Sequence, residues 1–212
     1  MFPTLKPRPL EVPRTRGPNW HAFYVLAAMH DGYFRLEHAE QAGISQPLVQ
    51  HHLRTRWFER VARGIFRVTA FPPPLAGDLM VAWLWSEQRG VFSHETALDS
   101  HDLLGRPARR IHMTLPPEDR GRRWKVPKHL SLHFAELNQR EMEWIDLVPV
   151  TRVRRTFVDC IEAGVPPKLL ADAYRLAVQD DLISDGDIAA IRDVAPGLPA
   201  PLRKRRPRIA AN

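Results

Sequence analysis

The sequence predicts an α+β protein in two parts, a small N-terminal domain and a larger second domain in which helices and strands are mixed. Three observations lead to this fold class. Two short helical patterns flank a glycine between residues 35 and 54, and an alternating apolar–polar pattern follows them. The prolines Pro72-Pro73-Pro74 then interrupt both patterns and predict a boundary between domains.

The first helices of the N-terminal domain are predicted from apolar spacing. An upstream helix carries an apolar stripe, which consists of Trp20, Phe23, Tyr24, Leu26, Ala27 and Met29. A short helix with Leu36 and Ala39 then stops at Gly43, because glycine tolerates the positive φ of a sharp turn. Ile44 fills the core below that turn, and Ser45 is expected to cap the next helix.

The helix after Ser45 has one apolar and one polar face. Val49 and Leu53 share the apolar face, and Pro47 is tolerated because N–H groups of a first turn lack intrahelical partners. The opposite face carries Gln46, Gln50, His51 and Arg54. Amides, imidazole and guanidinium are suited to the base edges and phosphates of a DNA major groove.

The segment from Phe58 to Val68 alternates apolar and polar residues on both sides of Arg63-Gly64, which predicts a β-hairpin. Helix, turn, helix and hairpin together predict a winged helix-turn-helix domain over residues 19–72. The predicted DNA-binding residues are Ser45, Gln46, Gln50, His51, Arg54, Arg56, Arg60, Arg63 and Arg67. A helical hairpin with a β-hairpin can also bind protein, so an interaction module that does not read DNA is the alternative.

The net charge of +7 is unevenly distributed along the chain. Residues 1–72 carry +5, residues 73–200 carry −3, and residues 201–212 carry +5. The basic segments include a proline-rich arm over residues 1–18 and a tail over residues 201–212, neither of which is expected to fold alone. Such a distribution favours a polyanionic partner for the two ends of the chain.

The second domain is predicted over residues 75–195. It opens with an apolar helix around Trp83 and continues with a helix that Ser93 begins. Strands are predicted at residues 110–115, 130–134 and 144–150, and helices at 151–163, 166–179 and from Ser184 to Val194. Five aromatic side chains, Trp83, Trp85, Phe92, Trp144 and Phe157, are expected in the core, whereas Trp124 lies in a basic loop that either is solvated or contacts a partner.

No catalytic or metal site is predicted. His94 and His101 can share a helix face, but no third ligand is evident nearby, so Ser93, His94 and Glu95 are interpreted as groups that satisfy a helix start. Arg155 and Asp159 are four residues apart and are expected to pair. The single cysteine, Cys160, is expected to pack as a small apolar side chain. We therefore expect no enzyme activity, no cofactor and no metal.

The order of these motifs resembles the AbiEi antitoxins of type IV (abortive infection) toxin–antitoxin systems. The resemblance runs from about Trp20 to Ala190, through the Ser93-His94-Glu95-Thr96-Ala97-Leu98 box, the Ile111-His112-Met113-Thr114 strand and the segment Val150-Thr151 to Asp159. It implies an antitoxin that binds inverted repeats in its own promoter and represses its operon. It also implies a cognate AbiEii-type nucleotidyltransferase toxin as partner.

Three functions therefore follow from the sequence. The first is a sequence-specific DNA-binding antitoxin and autorepressor, the second is a protein-interaction module that holds a toxin without DNA readout, and the third is a hydrolase with an unrecognised site. No stretch of consecutive apolar residues approaches the ~20 that a membrane-spanning helix needs. The N-terminus also lacks the apolar core of a signal peptide. We therefore expect a cytoplasmic protein without a membrane partner.

Overall fold

A computed structural model of the chain describes residues 17–74, 76–123 and 125–199. Within these residues the chain forms eight α-helices and two β-sheets, so the predicted α+β class is confirmed. Most of the predicted arm at 1–18, the predicted tail at 201–212 and Trp124 lie outside the described residues. None of the described helices is both long enough and apolar enough to cross a membrane.

The chain folds as two compact units whose limits differ from the expected domains. The first unit ends at Val91 and also contains Trp144–Pro149, and the second contains Phe92–Glu143 and the chain from Val150 onwards. The predicted boundary at Pro72–Pro74 lies inside the first unit. The helix that follows these prolines, α4 (Gly77–Trp85), packs against the sheet of that unit and so extends it beyond residue 72.

The first unit begins with α1 (Trp20–Ala28), β1 (Tyr33–Arg35), α2 (Leu36–Gln41) and α3 (Gln46–Arg54). The hairpin strands β2 (Phe58–Ala62) and β3 (Ile65–Val68) follow, and then α4. The strands form an antiparallel sheet in the order β1-β3-β2, with Phe34 opposite Phe66 and Phe58 opposite Val68. The three-residue strand β1 was not predicted, because so short a segment has no measurable periodicity.

The core of the first unit is aromatic. The rings of Phe23, Phe34 and Phe58 are fully or almost fully buried, and the Phe34 centroid lies 4.9 Å from both of the others. Ile44 and Val49 are also fully buried in this core, as predicted. Gly43 has a φ of +75°, and a Cβ there would lie 2.9 Å from the carbonyl oxygen of Gly17. The turn between α2 and α3 therefore requires glycine.

The second sheet contains five strands in the order β6-β5-β4-β8-β7. These are β4 (Val91–Phe92), β5 (Ile111–Leu115), β6 (Leu130–Phe134), β7 (Met142–Ile145) and β8 (Val148–Thr151). Strand β5 is parallel to β6, and β4 is parallel to β8. The single strand expected over residues 144–150 is instead two strands, because the chain turns at Asp146, whose φ is +51°.

Four helices accompany these strands: α5 (His94–Ser100), α6 (Val153–Glu162), α7 (Pro167–Gln179) and α8 (Asp185–Val194). Short 3-10 turns occupy Pro117–Gly121 and Gln139–Glu141. The helices pack around a core that includes the fully buried Phe157 and Cys160 and the almost fully buried Tyr174. Ser184 caps α8 through a reciprocal pair of bonds with Asp187.

Two expectations about single side chains are wrong. Trp144 is 49% exposed, although its ring packs edge-on against the buried Trp83 at 5.5 Å. The hydroxyl of Ser45 makes no capping bond. Ser45 does precede α3, but Pro47 stands at the second position of the helix and has no N–H, which removes one of the two donors that an N-cap side chain uses.

Candidate functional site

The polar face of α3 is exposed in the way the sequence predicts. Gln46, His51 and Arg54 are exposed and Gln50 is half-buried, while Val49 on the opposite face is fully buried. The hydrophobic contacts of α3 are therefore made on one side only. Its other side presents two amides, an imidazole and a guanidinium to solvent.

The hairpin places further arginines near this face. Arg63 is exposed at the turn, where Gly64 has a φ of +75° that suits a tight hairpin connection. Arg60 is exposed on β2, and its guanidinium carbon lies 5.3 Å from the centre of the Phe66 ring. This cation–π contact holds the stem of Arg60 on the sheet while the charge stays accessible.

A groove of about 550 Å³ joins α3 to the hairpin. Gln50 and Leu53 line it from the helix, and Arg56, Glu59 and Arg60 line it from the segment that follows. Arg56 is exposed and has a φ of +60°, so the chain turns sharply between the helix and β2. The structure thus brings three of the predicted DNA-binding side chains, Gln50, Arg56 and Arg60, to one concave surface.

Arg67 differs from the other predicted arginines because its guanidinium is already held inside the protein. Its Nε donates to Glu59 Oε1 at 2.5 Å and its Nη1 donates to the carbonyl oxygen of Phe71 at 2.8 Å. The Arg67 side chain is only 13% exposed. These contacts fix β3 against β2 and the following segment, so we assign Arg67 a positioning role within the hairpin.

His52, next to the exposed His51, faces the core. Its ring lies 5.1 Å from Trp20 in an edge-on arrangement and 5.1 Å from Phe58. Burial, and then the neighbouring His51, lower the pKa of His52. A neutral imidazole in this position packs as an aromatic side chain.

A second cluster of polar side chains lies in the second unit and was not predicted. His94, at the start of α5, His112 on β5 and His133 on β6 place one ring nitrogen each within 4.8 Å of one another. The ring of His94 stacks on that of His133 with centroids 3.6 Å apart. Nδ1 of His112 lies 3.0 Å from Nε2 of His133, a hydrogen-bond distance. Three imidazoles in this arrangement can hold a metal ion.

The interpretation of Ser93, His94 and Glu95 as helix-start groups is wrong in its details. The Ser93 hydroxyl makes no capping bond; it accepts from Thr114 Oγ1 at 2.8 Å and contacts His94 Nδ1 at 2.9 Å. Glu95 pairs with Arg106 at 3.0 Å. Each side chain therefore has a tertiary partner, because the buried start of α5 faces the sheet.

The expected pair of Arg155 and Asp159 is confirmed and is part of a larger network. Arg155 Nε donates to Asp159 Oδ1 at 2.7 Å and its Nη1 donates to Glu141 Oε1 at 2.9 Å. Burial raises the pKa of Asp159 against the opposing effect of Arg155. The second carboxylate oxygen of Asp159, Oδ2, is buried without a hydrogen-bond partner among the described residues.

Comparison with known proteins adds a similarity of structure. No family model matches the chain. No curated protein matches it either. Among solved structures, the chain is similar to the RV2827C protein of Mycobacterium tuberculosis, with 18% sequence identity and a TM-score of 0.46. The similarity covers 88% of this chain and 74% of that one.

Proposed function

We propose that residues 19–72 form a winged helix-turn-helix domain that binds duplex DNA, with α3 in the major groove and the β2–β3 hairpin as the wing. The observation that carries this proposal is the exposed polar face of α3, opposite the buried Val49 and beside the exposed arginines of the hairpin. The order of helices and strands and the antiparallel sheet β1-β3-β2 support it.

The side chains divide into two roles. Gln46, Gln50, His51 and Arg54 project from the helix and are the candidates for contacts with base edges, since amides pair with adenine and guanidinium with guanine. Arg56, Arg60 and Arg63 follow the helix and lie along the hairpin, where they suit phosphates. The exposed hydroxyl of Ser45 at the start of α3 is a further phosphate donor, since it is not used in capping.

The function that fits these roles is that of an antitoxin that represses its own operon by binding inverted repeats in its promoter. The resemblance to AbiEi antitoxins in motif order supports this function, and it names an AbiEii-type nucleotidyltransferase toxin as the second partner. The uneven charge of the chain is consistent with DNA at the basic N-terminal part.

Fluorescence anisotropy with the chain's own promoter tests DNA readout. Arg54→Ala should weaken operator binding by about 1–3 kcal/mol and relax the preference at one base-pair position, because alanine cannot make a bidentate hydrogen bond to a base. Arg192→Ala, which removes an exposed charge from α8 in the second unit, is the matched control and should bind as the wild type does. Equal operator affinity of the Arg54→Ala and wild-type proteins would exclude Arg54 from base reading.

Growth under expression of the co-encoded toxin separates repression from direct neutralisation. The full chain with Arg54→Ala, expressed from an unrelated promoter, should still rescue growth if the chain restrains the toxin by contact. If rescue disappears together with DNA binding, the antitoxin acts through transcription. Rescue by wild-type protein that never binds its promoter would instead favour the protein-interaction module.

A further inference from the structure

The histidine cluster of the second unit is assembled by sheet register. His112 lies opposite Ser131, and His133 lies opposite Thr114, on the parallel strands β5 and β6. Residues two apart on a strand face the same side, so His112 and His133 are diagonal neighbours on one face of the sheet. Their facing nitrogens are 3.0 Å apart.

The third imidazole reaches the same face from β4. The backbone N–H of Ser93, directly after β4, donates to the carbonyl oxygen of His112 at 3.1 Å. This bond fixes His94, the next residue, beside β5, and its ring covers that of His133. His94 has a φ of +55°, a strained conformation for a residue other than glycine, and the surrounding contacts must hold it there.

The spacing of the three nitrogens is close to that of a metal site. A zinc ion bound to imidazole nitrogens at about 2.0–2.1 Å in tetrahedral geometry places those nitrogens about 3.3 Å apart. One pair is already at 3.0 Å, and all three lie within 4.8 Å. The ring of His94, which stacks on that of His133, must tilt before its nitrogen can point at an ion that the other two imidazoles share.

The protonation state of the cluster matches that of metal ligands. Burial, then the neighbouring histidines and Arg155, lower the pKa of His94 to about 3, and burial and His112 lower the pKa of His133 to about 4. Burial also lowers the pKa of His112, against the opposing effect of Glu95. Neutral imidazole is the form that binds metal, and the proton between His112 Nδ1 and His133 Nε2 must move to the other nitrogen of its ring when both bind one ion.

Hydrogen bonds behind the cluster orient one of its rings. Ser93 Oγ contacts Nδ1 of His94 at 2.9 Å and accepts from Thr114 at 2.8 Å, and all three residues are buried. Such partners of a ligand's second nitrogen fix its tautomer and direction in metal sites. Because His112 and His133 are half-exposed, an ion can enter from solvent and keep a water molecule as its remaining ligand.

We propose that His94, His112 and His133 form a binding site for one divalent transition-metal ion of the zinc class. Three imidazoles favour zinc and its neighbours in the first transition row over the hard ions calcium and magnesium, which prefer oxygen ligands. The site is independent of the proposed DNA binding, because none of its residues belongs to the first unit.

Calorimetric titration of the untagged, metal-free full chain with Zn²⁺ tests the proposal. We expect one ion per chain. His133→Ala, which removes a ligand, should weaken zinc binding by more than the roughly 10- to 100-fold that loss of a residue hydrogen-bonded to a ligand costs. Ser93→Ala keeps all three imidazoles but removes the partner of His94, and it should weaken zinc binding by about 10- to 100-fold. His129→Ala removes an exposed histidine just before β6 and serves as the matched control, with wild-type affinity expected.

Two spectroscopic measurements on the wild-type protein cover the case in which a variant does not fold. Cobalt in place of zinc should give the visible absorption of a four-coordinate site. The ring resonances of His94, His112 and His133 should shift together in NMR spectra on addition of one equivalent of Zn²⁺. Unchanged ring resonances, or wild-type affinity in His133→Ala, would overturn the proposal.

Discussion

At the scale of single residues, a buried histidine can be accommodated by partners that suit the neutral ring. His30 is the clearest example in the first unit. Its Nδ1 lies 2.9 Å from the carbonyl oxygen of Leu26, which can only accept, so the ring proton is on Nδ1. Its Nε2 then accepts from the Gln88 amide at 2.8 Å. The ring also stacks on His38, with centroids 4.9 Å apart.

This arrangement predicts a loss of stability in acid. Burial lowers the pKa of His30, against the opposing effect of its bond to Leu26. Above pH about 6.5 the ring is neutral in both states, whereas below it the unfolded chain takes up a proton that the folded protein does not. The free energy of unfolding should therefore fall by up to about 1.4 kcal/mol per pH unit on account of this group, until the folded pKa is reached.

Urea unfolding at pH 7.5 and 5.5 measures this contribution. His30→Gln should lose less stability over the interval than the wild type, whatever its stability at pH 7.5. His21→Gln changes an exposed histidine of α1 and should retain the wild-type loss. If the two variants show the same dependence on pH, the protonation of His30 is not coupled to folding.

At the scale of elements, α3 and the hairpin after it make separable contributions to the proposed DNA binding. The helix carries groups that distinguish bases, whereas Arg60 and Arg63 on the hairpin carry charge that suits phosphates. Arg60 is additionally packed on Phe66. The two elements should therefore differ in how their removal affects affinity, sequence preference and response to salt.

The Arg60→Ala/Arg63→Ala double variant should bind all duplexes more weakly and keep the sequence preference. For each phosphate that the variant no longer neutralises, the slope of log K against log salt should become shallower by about 0.9. Titrations at several salt concentrations, with operator and random duplexes, measure both effects. A double variant with an unchanged slope would show that these two arginines do not contact phosphates.

Elements with a regular pattern could be predicted from the sequence, and the contacts between elements could not. The hairpin, α3 and the strands at Ile111–Leu115 and Leu130–Phe134 follow from apolar spacing. The histidine cluster could not be predicted because His112 and His133 lie on strands far from His94 in the sequence, whereas helical spacing points only to His101, directly after α5. The parallel register of β5 and β6 decides which of their residues face each other. The local sequence of each strand does not determine that register.

At the scale of the whole molecule, positive charge is concentrated at the two ends of the sequence. Residues 201–212 carry a net charge of +5 without a single acid. Cations on a segment with no apolar pattern can neutralise phosphates without reading bases. The arm carries Lys6, Arg8, Arg14 and Arg16 against one acid, Glu11, and the same effect is expected of it.

Deletion of residues 201–212 should weaken binding to operator and random DNA by similar factors. It should also flatten the dependence of affinity on salt, by about 0.9 for each phosphate that the tail neutralises in the full-length protein. Anisotropy titrations of the full-length and shortened proteins over a range of salt concentrations measure this. Identical slopes for the two proteins would show that the tail does not contact the phosphates.

The single cysteine offers a direct measure of how often the second unit opens. Cys160 is fully buried on α6, and burial, followed by Asp159, raises the pKa of its thiol. A thiol reagent should therefore modify the folded protein only while the second unit is transiently open. Each chain can take up one label, at its single cysteine. The modification rate divided by that of denatured protein should yield the opening equilibrium without denaturant. Rapid labelling of the native protein would show that the helices around Cys160 separate far more readily than their packing indicates.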